Sequence, residues 1–371
     1  MLKDFNGSIN FYRFFDVGSD IDLRNVLNIL DSTRNEVQTF KLKTTSRAIV
    51  IEETPIVVSL NKWIYEIDGK NYHCEGTLKL WTFGAISVVF SIQVENLSFK
   101  ELKKLAKFIE NSDELHDLAL EKVKSLVSEI ESSIKYVNIW EQFEDYIIYV
   151  DKNTTRDIFE IEELTKNDDI FDLILGDDRG TFSNQMKEPI KKNIFQYHTD
   201  DFVIIDWNSA YICSEGDSRD ICDVLEFSIC QLLELRYYDD LLDKKLASLY
   251  KSIQTTSPSI FNNSYSKISK DAAEIYIETI EVIEKIENSM KVIGDFYYAK
   301  IFRASIERLR IKDWEQNVDN KLKNLLTVSS LYQAEVNNNK SFWMELIIII
   351  LIAVEVIPLL YSLFVKFYFP G

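Results

Sequence analysis

Histidine occurs only three times in this 371-residue chain, cysteine four times, proline five and glycine ten. Each scarcity excludes something. Cys74, Cys213, Cys222 and Cys230 lack the paired spacing of a disulfide scaffold or a zinc knuckle, so they are expected to be reduced and buried. His73, His116 and His198 lie far apart, and none stands at ligand spacing from a cysteine or carboxylate. No metal site and no cofactor are expected. A Walker loop, a dinucleotide fingerprint, a zincin motif and a nucleophile elbow are all missing, so no catalytic set is visible and the chain reads as a non-enzyme. So few glycines and prolines also argue against long disordered linkers. Basic residues are outnumbered, 42 against 60, for a net charge of −18. Such a body repels phosphate backbones, and no basic stripe with interleaved aromatics offsets it, which excludes nucleic acid as a partner. The first residues, MLKDFNGSINFYRFF, hold Lys3, Asp4 and Arg13 and no apolar core, so no cleavable export signal is expected.

Long apolar runs are equally scarce, with one exception. Phe342 to Val365 reads FWMELIIIILIAVEVIPLLYSLFV, interrupted by charge only at Glu345 and Glu355. A helix of 24 residues reaches about 36 Å, enough to cross a bilayer core with some tilt. Leu346 to Val354 is apolar on every face, unlike the striped helix of a soluble core. The expectation is a single-pass, tail-anchored membrane protein with its N-terminal domain cytoplasmic. Glu355 falls near the midplane, where an ionised carboxylate costs at least about 2.5 kcal/mol. It must be protonated, paired or turned toward another helix. Pro358 cannot donate to the carbonyl of Val354, which leaves that oxygen as a local partner. Glu345 lies nearer the interface, about 80° around the helix from Glu355. Trp343, Glu345, Glu355 and Pro358 are therefore the candidate membrane and assembly residues, and a homo-oligomer is the expected state.

Ahead of that run the chain changes character twice. Ile9 to Val17, Arg47 to Leu60 with a break at Pro55, Trp63 to Ile67, and Leu78 to Val94 around a turn at Gly84 read as strands. A helix is expected from about Asp20 to Asp31. Ser98 and Glu101 form a capping box that opens another, with a break near Ser112-Asp113. Tyr146 to Val150 returns to a strand, Gly176 to Gln185 reads as a loop, and Phe202 to Ile205 with Ala210 to Cys213 as a hairpin. From Ser218 onward apolar residues recur at three and four: Ile221, Leu225, Leu232, Leu235, Leu242, Leu246, Leu249 and Ile253. A loop at Pro258, Asn262 and Asn263 and a break at Gly294-Asp295 separate two further helical stretches, the last running from Phe296 to Val336 at quasi-heptad spacing. Asp239, Asp240 and Asp243 with Arg236 suggest a charged outer face. Gly18, Asp22, Val26 and Leu27 recur as Gly216, Asp220, Val224 and Leu225 at one constant offset, each set where a strand leads through an acidic cap into a helix. The expected architecture is an α+β head of ferredoxin-like layers, followed by long antiparallel helices and one C-terminal transmembrane helix. Its divisions are an α+β domain over 1–155, a connecting α/β segment with a hairpin over 156–216, a helical stalk with coiled-coil spacing over 217–340, and the transmembrane helix over 341–366.

Two segments, LLELRYYDDLLDKKL from Leu232 to Leu246 and MELIIIILIAVE from Met344 to Glu355, resemble the domain-of-unknown-function 155 family, also called the required-for-meiotic-nuclear-division family. Members end in a membrane helix that opens on a Leu-Glu-Trp-like triplet and carries a second glutamate ten residues later, a pattern met by Glu345 and Glu355. Leu346 stands where the tryptophan would be, with Trp343 just ahead. The resemblance implies a bacterial-type membrane member acting as a non-enzymatic oligomeric scaffold or tether that presents its acidic domain to an unknown protein partner. The alternative is an ion channel or transporter subunit using Glu355, similar to CorA-type channels in its long acidic helices. That family's Gly-Met-Asn pore motif and second span are absent.

Overall fold

The protein is described by a computed structural model covering residues 4–33, 37–39, 49–51, 54–67, 69–152, 168–176, 182–216, 218–255, 264–292 and 296–368. The expected loop at Pro258, Asn262 and Asn263, the break at Gly294-Asp295 and residues 177–181 of the loop expected over 176–185 lie outside the described residues, while Asn184 and Gln185 of that loop already belong to a helix. The chain forms two compact units. Unit 1 comprises residues 1–238 and 281–316, and unit 2 comprises residues 239–280 and 317–371.

Unit 1 is built on a mixed sheet of ten strands. Its elements run β1 (Phe5–Asp16), β2 (Asp20–Ile21), α1 (Leu23–Thr33), β3 (Val37–Thr39), β4 (Ile49–Ile51), β5 (Ile56–Ser59), β6 (Trp63–Ile67), β7 (Lys70–Leu80) and β8 (Ala85–Leu97). There follow α2 (Phe99–Glu110), α3 (Asp113–Ile130), β9 (Ile134–Lys135), β10 (Glu144–Asp151), α4 (Asp168–Leu175), α5 (Asn184–Lys191), β11 (Ile194–Phe195), β12 (Phe202–Ile205) and β13 (Ser209–Cys213). Spatial order is β11-β12-β13-β10-β1-β8-β7-β5-β3, with β6 also paired to β7. The β10–β13 pair is parallel and the other pairs are antiparallel. β1 is rich in aromatic and β-branched residues and finds partners on both edges, Phe11 facing Phe90 of β8 and Ile147 of β10.

The period of two along β1 sorts its side chains. Phe5, Ile9, Phe11 and Phe15 join an apolar core with Val26 and Leu30 of α1, Leu102 and Ile109 of α2, Val123 and Val127 of α3, and Phe171 of α4. Each such large side chain, taken fully from water, contributes roughly 1.5–3 kcal/mol. The Ser98 capping box is present, and Ser112 caps α3 by accepting from the N–H of Leu115, which places the helix break where the sequence puts it. Asp22 caps α1 by accepting from the N–H groups of Arg24 and Asn25. The opposite face of the sheet packs against α6 (Arg219–Thr255) and α8 (Phe296–Arg308), which touch through a 2.7 Å hydrogen bond between Ser228 and Ser305.

The later part of the chain differs from expectation in several ways. The hairpin over 202–213 is part of the main sheet rather than a connector, and residues 219–238 and 281–316 belong to unit 1 rather than to a stalk. The reason is that α6 is buried on every side from Asp220 to Gln231, so both its stripes are internal. Helix α7 (Ser264–Ser289) ends in a strand, β14 (Met290–Val292), paired with β4. The stretch from Phe296 is two helices, because Arg310 takes a left-handed φ of 55° before α9 (Ile311–Tyr368). Helix α9 then continues through Asn337, Asn338 and Asn339 without a break.

Unit 2 packs Leu242, Leu246 and Leu249 of α6, Ala272 and Thr279 of α7, and Val318, Leu322 and Leu325 of α9. Lys321 lies 2.7 Å from both the partly buried Asp239 and the exposed Asp243, so this charged face also ties α6 to α9. Asp240 keeps the expected pairing along its own helix, with Lys244. Beyond Ser329, no described side chain of α9 is buried. Among the described residues one segment, Lys340–Tyr361, is long and apolar enough to cross a membrane, with a mean hydropathy of 2.5 and none of it buried against the protein.

Gly84 closes the β7–β8 turn at a φ of 108°, and a Cβ there would lie 1.7 Å from the carbonyl oxygen of Gly18. Gly84→Ala is expected to cost about 3 kcal/mol in chemical denaturation, from left-handed strain plus the clash. An unchanged midpoint would contradict the close approach.

Candidate functional site

The period of two along β1 has a second consequence. Tyr12 and Asp16 project from the face opposite the apolar core, and on the neighbouring strands Lys79 of β7 and Ser87 of β8 do the same. Helix α6 meets them with Cys222, Asp223, Glu226, Cys230 and Glu234, spaced at three and four residues and therefore on one stripe. The result is a charged layer sealed between a sheet and a helix.

Lys79 is its hub. Its ammonium donates to Asp223 Oδ1 at 2.8 Å and to Glu226 Oε2 at 2.6 Å, while the Ser87 hydroxyl donates to the other Glu226 oxygen. Glu226 is 2% exposed and Lys79 6%. Burial by itself disfavours the lysine cation, but the two carboxylates outweigh it and hold Lys79 above its ordinary range. Burial pushes Glu226 up, and Lys79 pulls it back. Cys222 and Cys230 are both raised, first by burial and then by the neighbouring acids, so they stay as thiols. Tyr12, close enough to hydrogen-bond Cys222, is likewise raised by burial. A permanently charged lysine and protonated thiols are poor nucleophiles. What this arrangement does well is fix the register of α6 on the sheet.

Further along the same layer stand Asp16 of β1 and Glu234 of α6, both fully inaccessible. Their carboxyl groups are close enough to shift each other's titration, and among the described residues none of their four oxygens meets a side-chain donor.

Other ion pairs pin the remaining elements. Arg13 donates to the Glu110 carbonyl at the C-terminus of α2 and pairs with Asp145 at 3.3 Å, its guanidinium 4.0 Å over the Phe11 ring. Burial brings it down to about 10. Arg308 of α8 pairs with the buried Asp206, and Arg236 of α6 pairs with Glu144 while lying over Trp314. Burial lifts Glu144 to about 7 despite Arg236. A cleft of about 20 Å³, room for one water, lies between α2, α4 and the sheet and involves none of the layer's residues.

The residues singled out from sequence lie elsewhere. Trp343, Glu345, Glu355 and Pro358 all sit exposed on α9, in unit 2. The four cysteines are buried free thiols. His73 and His198 are exposed, His116 packs against Phe143 with ring centroids 4.2 Å apart, and no metal-binding cluster occurs among the described residues. Sequence reasoning missed the layer. Its available signals were Lys79 set between Leu78 and Leu80 in the strongest strand, and two cysteines inside an otherwise acidic stripe.

A mixed sheet flanked by helices, followed by a helical unit with one long apolar segment, defines an α+β protein whose conspicuous polar feature is internal. Residues 6–219 match the family described as Uncharacterized protein MJ0711, N-terminal domain, and the chain belongs to that family. It is similar to Uncharacterized protein MJ0711 of Methanocaldococcus jannaschii, 23% identical over 269 residues that cover 72% of this chain and 78% of the relative. No solved structure matches the chain significantly. The family match overturns the expected place in domain-of-unknown-function 155. The segments that carried that resemblance lie beyond residue 219 and are an amphipathic run and an apolar run, patterns that unrelated helices share because helical packing and lipid impose them.

Removing the hub while keeping its acids leaves two buried carboxylates without a cation. Lys79→Met is therefore expected to cost roughly 3–5 kcal/mol in denaturant titrations, and adding Asp223→Leu and Glu226→Leu to it recovers most of the loss. A triple variant as unstable as the single one contradicts the ion-pair account.

Proposed function

We propose that this protein is a non-enzymatic membrane tether. Lys340–Tyr361 spans a bilayer once, and the acidic remainder stays in the cytoplasm and is presented to protein partners. The observation that carries this is a helical segment of mean hydropathy 2.5 with none of its surface covered by the rest of the chain, in contrast to the buried apolar residues of both units. Left in water, that surface would exceed the apolar patches soluble monomers tolerate. Trp343 then sits at headgroup depth. The sealed character of the charged layer supports a structural rather than a catalytic head. For the fold, the order β10-β1-β8-β7, with α1 and then α2 and α3 as the connections on one face, supports the ferredoxin-like reading of the central four strands.

Self-association belongs to the same proposal. Glu355 is exposed on an apolar helix, and in lipid the same residue of a second copy is a partner at matching depth. The second reading, a channel or transporter subunit, is favoured by the same carboxylate. Ion flux in proteoliposomes separates them, because a tether conducts nothing.

The full chain is expected to sediment with membranes and resist carbonate extraction, while a chain ending at Asn339 becomes soluble. In detergent, Glu355→Leu is expected to run as a smaller species than wild type. Membrane association that survives truncation removes the tether, and an unchanged detergent size removes the role of Glu355.

A further inference from the structure

Asp16 and Glu234 are the least explained groups in unit 1. Each is 0% exposed. Asp16 comes from the last position of β1, Glu234 from the α6 stripe that also carries Glu226 and Cys230, and no side-chain donor reaches either carboxyl group. The backbone N–H of Gly18 acts on Asp16 and lowers it, without making a hydrogen bond to it. Lys79, the cation of the layer, is engaged by Asp223 and Glu226. Two ionised carboxylates in contact without a cation in an enclosed site are untenable, since each alone costs several kcal/mol to bury and they repel each other. A proton shared between them removes one charge and supplies the missing donor.

We infer that Asp16 and Glu234 bind one proton between them, and that this proton is a ligand of the folded state, clamping α6 to β1 and released as the medium turns alkaline. Glu234 is the proton's carrier: burial raises it, Asp16's charge raises it further, and its hydrogen bond to Asp16 favours the protonated form. Asp16 is also raised by burial, with Glu234 and the Gly18 N–H pulling it down, which makes it the acceptor. Of the neighbouring titratable groups, Cys230 beside Glu234 stays neutral, and Lys79 is held by Asp223 and Glu226 together. The arrangement follows the rule for like charges at close range, in which one member of a carboxyl pair is pushed far up.

The sign of the linkage is fixed by the raised folded value. In the unfolded chain Glu234 loses its proton near the ordinary carboxylate range, about pH 4, whereas in the fold it keeps it. The stabilisation is complete below that range and is lost as pH rises through the folded value. Over the interval between them, one proton makes the unfolding constant grow about tenfold per pH unit.

The test uses the full-length chain in detergent, wild type against Glu234→Gln, whose amide donates to Asp16 at any pH. The ratio of wild-type to variant unfolding constants should rise about tenfold per pH unit across the neutral range, and comparing the two cancels contributions from Glu144 and other acids. Infrared spectra of wild type at neutral pH should contain the carbonyl stretch of a buried protonated carboxyl, shifted by isotope-labelled glutamate and missing in the variant. A ratio independent of pH overturns the inference, as does a wild-type spectrum without that band. Should Glu234→Gln fail to fold, Asp16→Asn replaces it: the same flattening supports the shared proton, and a wild-type pH slope sinks it.

Discussion

A helix enclosed on all sides can carry charge only if every charge is answered inside the protein, and the first half of α6 is such a helix. Its apolar residues alone would leave its rotation on the sheet poorly specified, because Leu, Ile, Val and Phe pack in many registers with similar energy. Lys79, reaching from the middle of β7 to Asp223 and Glu226, accepts one register and makes a slip by a single residue very costly. The aromatic contacts of Phe227 with Trp81, Phe83 and Phe302 fill the adjoining space once that register is set.

The same device recurs around the sheet. Arg13 answers the C-terminal carbonyls of α2, Arg308 ties α8 to Asp206, and Lys285 of α7 reaches Asp20 and the Thr82 carbonyl. One face of the sheet is held to its helices by the apolar core, and on the other the packing of Phe227 is joined by ion pairs and by hydroxyl contacts such as Ser228 with Ser305. An acidic chain can build the second kind of interface with few basic residues, provided each is placed where two acids or a helix terminus converge. That economy matches the surplus of acids in the composition.

Belonging to the MJ0711 N-terminal domain family assigns the sheet and its flanking helices up to residue 219 and leaves the helical part to be understood from its own physics. There the contrast is between α9 from Val318 to Leu325, where Val318, Leu322 and Leu325 are buried within unit 2, and α9 from Lys340 to Tyr361, none of which is buried. The proposed bilayer supplies the missing neighbour, and the sealed head fits a role in which shape rather than chemistry is presented.

Local features were legible in the residues themselves. The capping box at Ser98, the stop at Ser112, the strand at Trp63–Ile67 and the apolar run after Lys340 depend on interactions within a few residues, and periodicity exposes them. The repeated Gly-Asp-Val-Leu pattern likewise marks two strand-to-helix junctions, with Val26 and Val224 both fully buried. Three things were decided only by the tertiary structure. The acidic stripe of α6 reads as a solvated face until β7 brings Lys79 beneath it, 144 residues away in sequence. Met290–Val292 looks helical until β4 offers its edge. Asp16 and Glu234 look like two ordinary surface acids until folding puts them in contact and removes the water between them. In each case the determining partner is distant along the chain, and no local pattern records the energy of a contact that only closure creates.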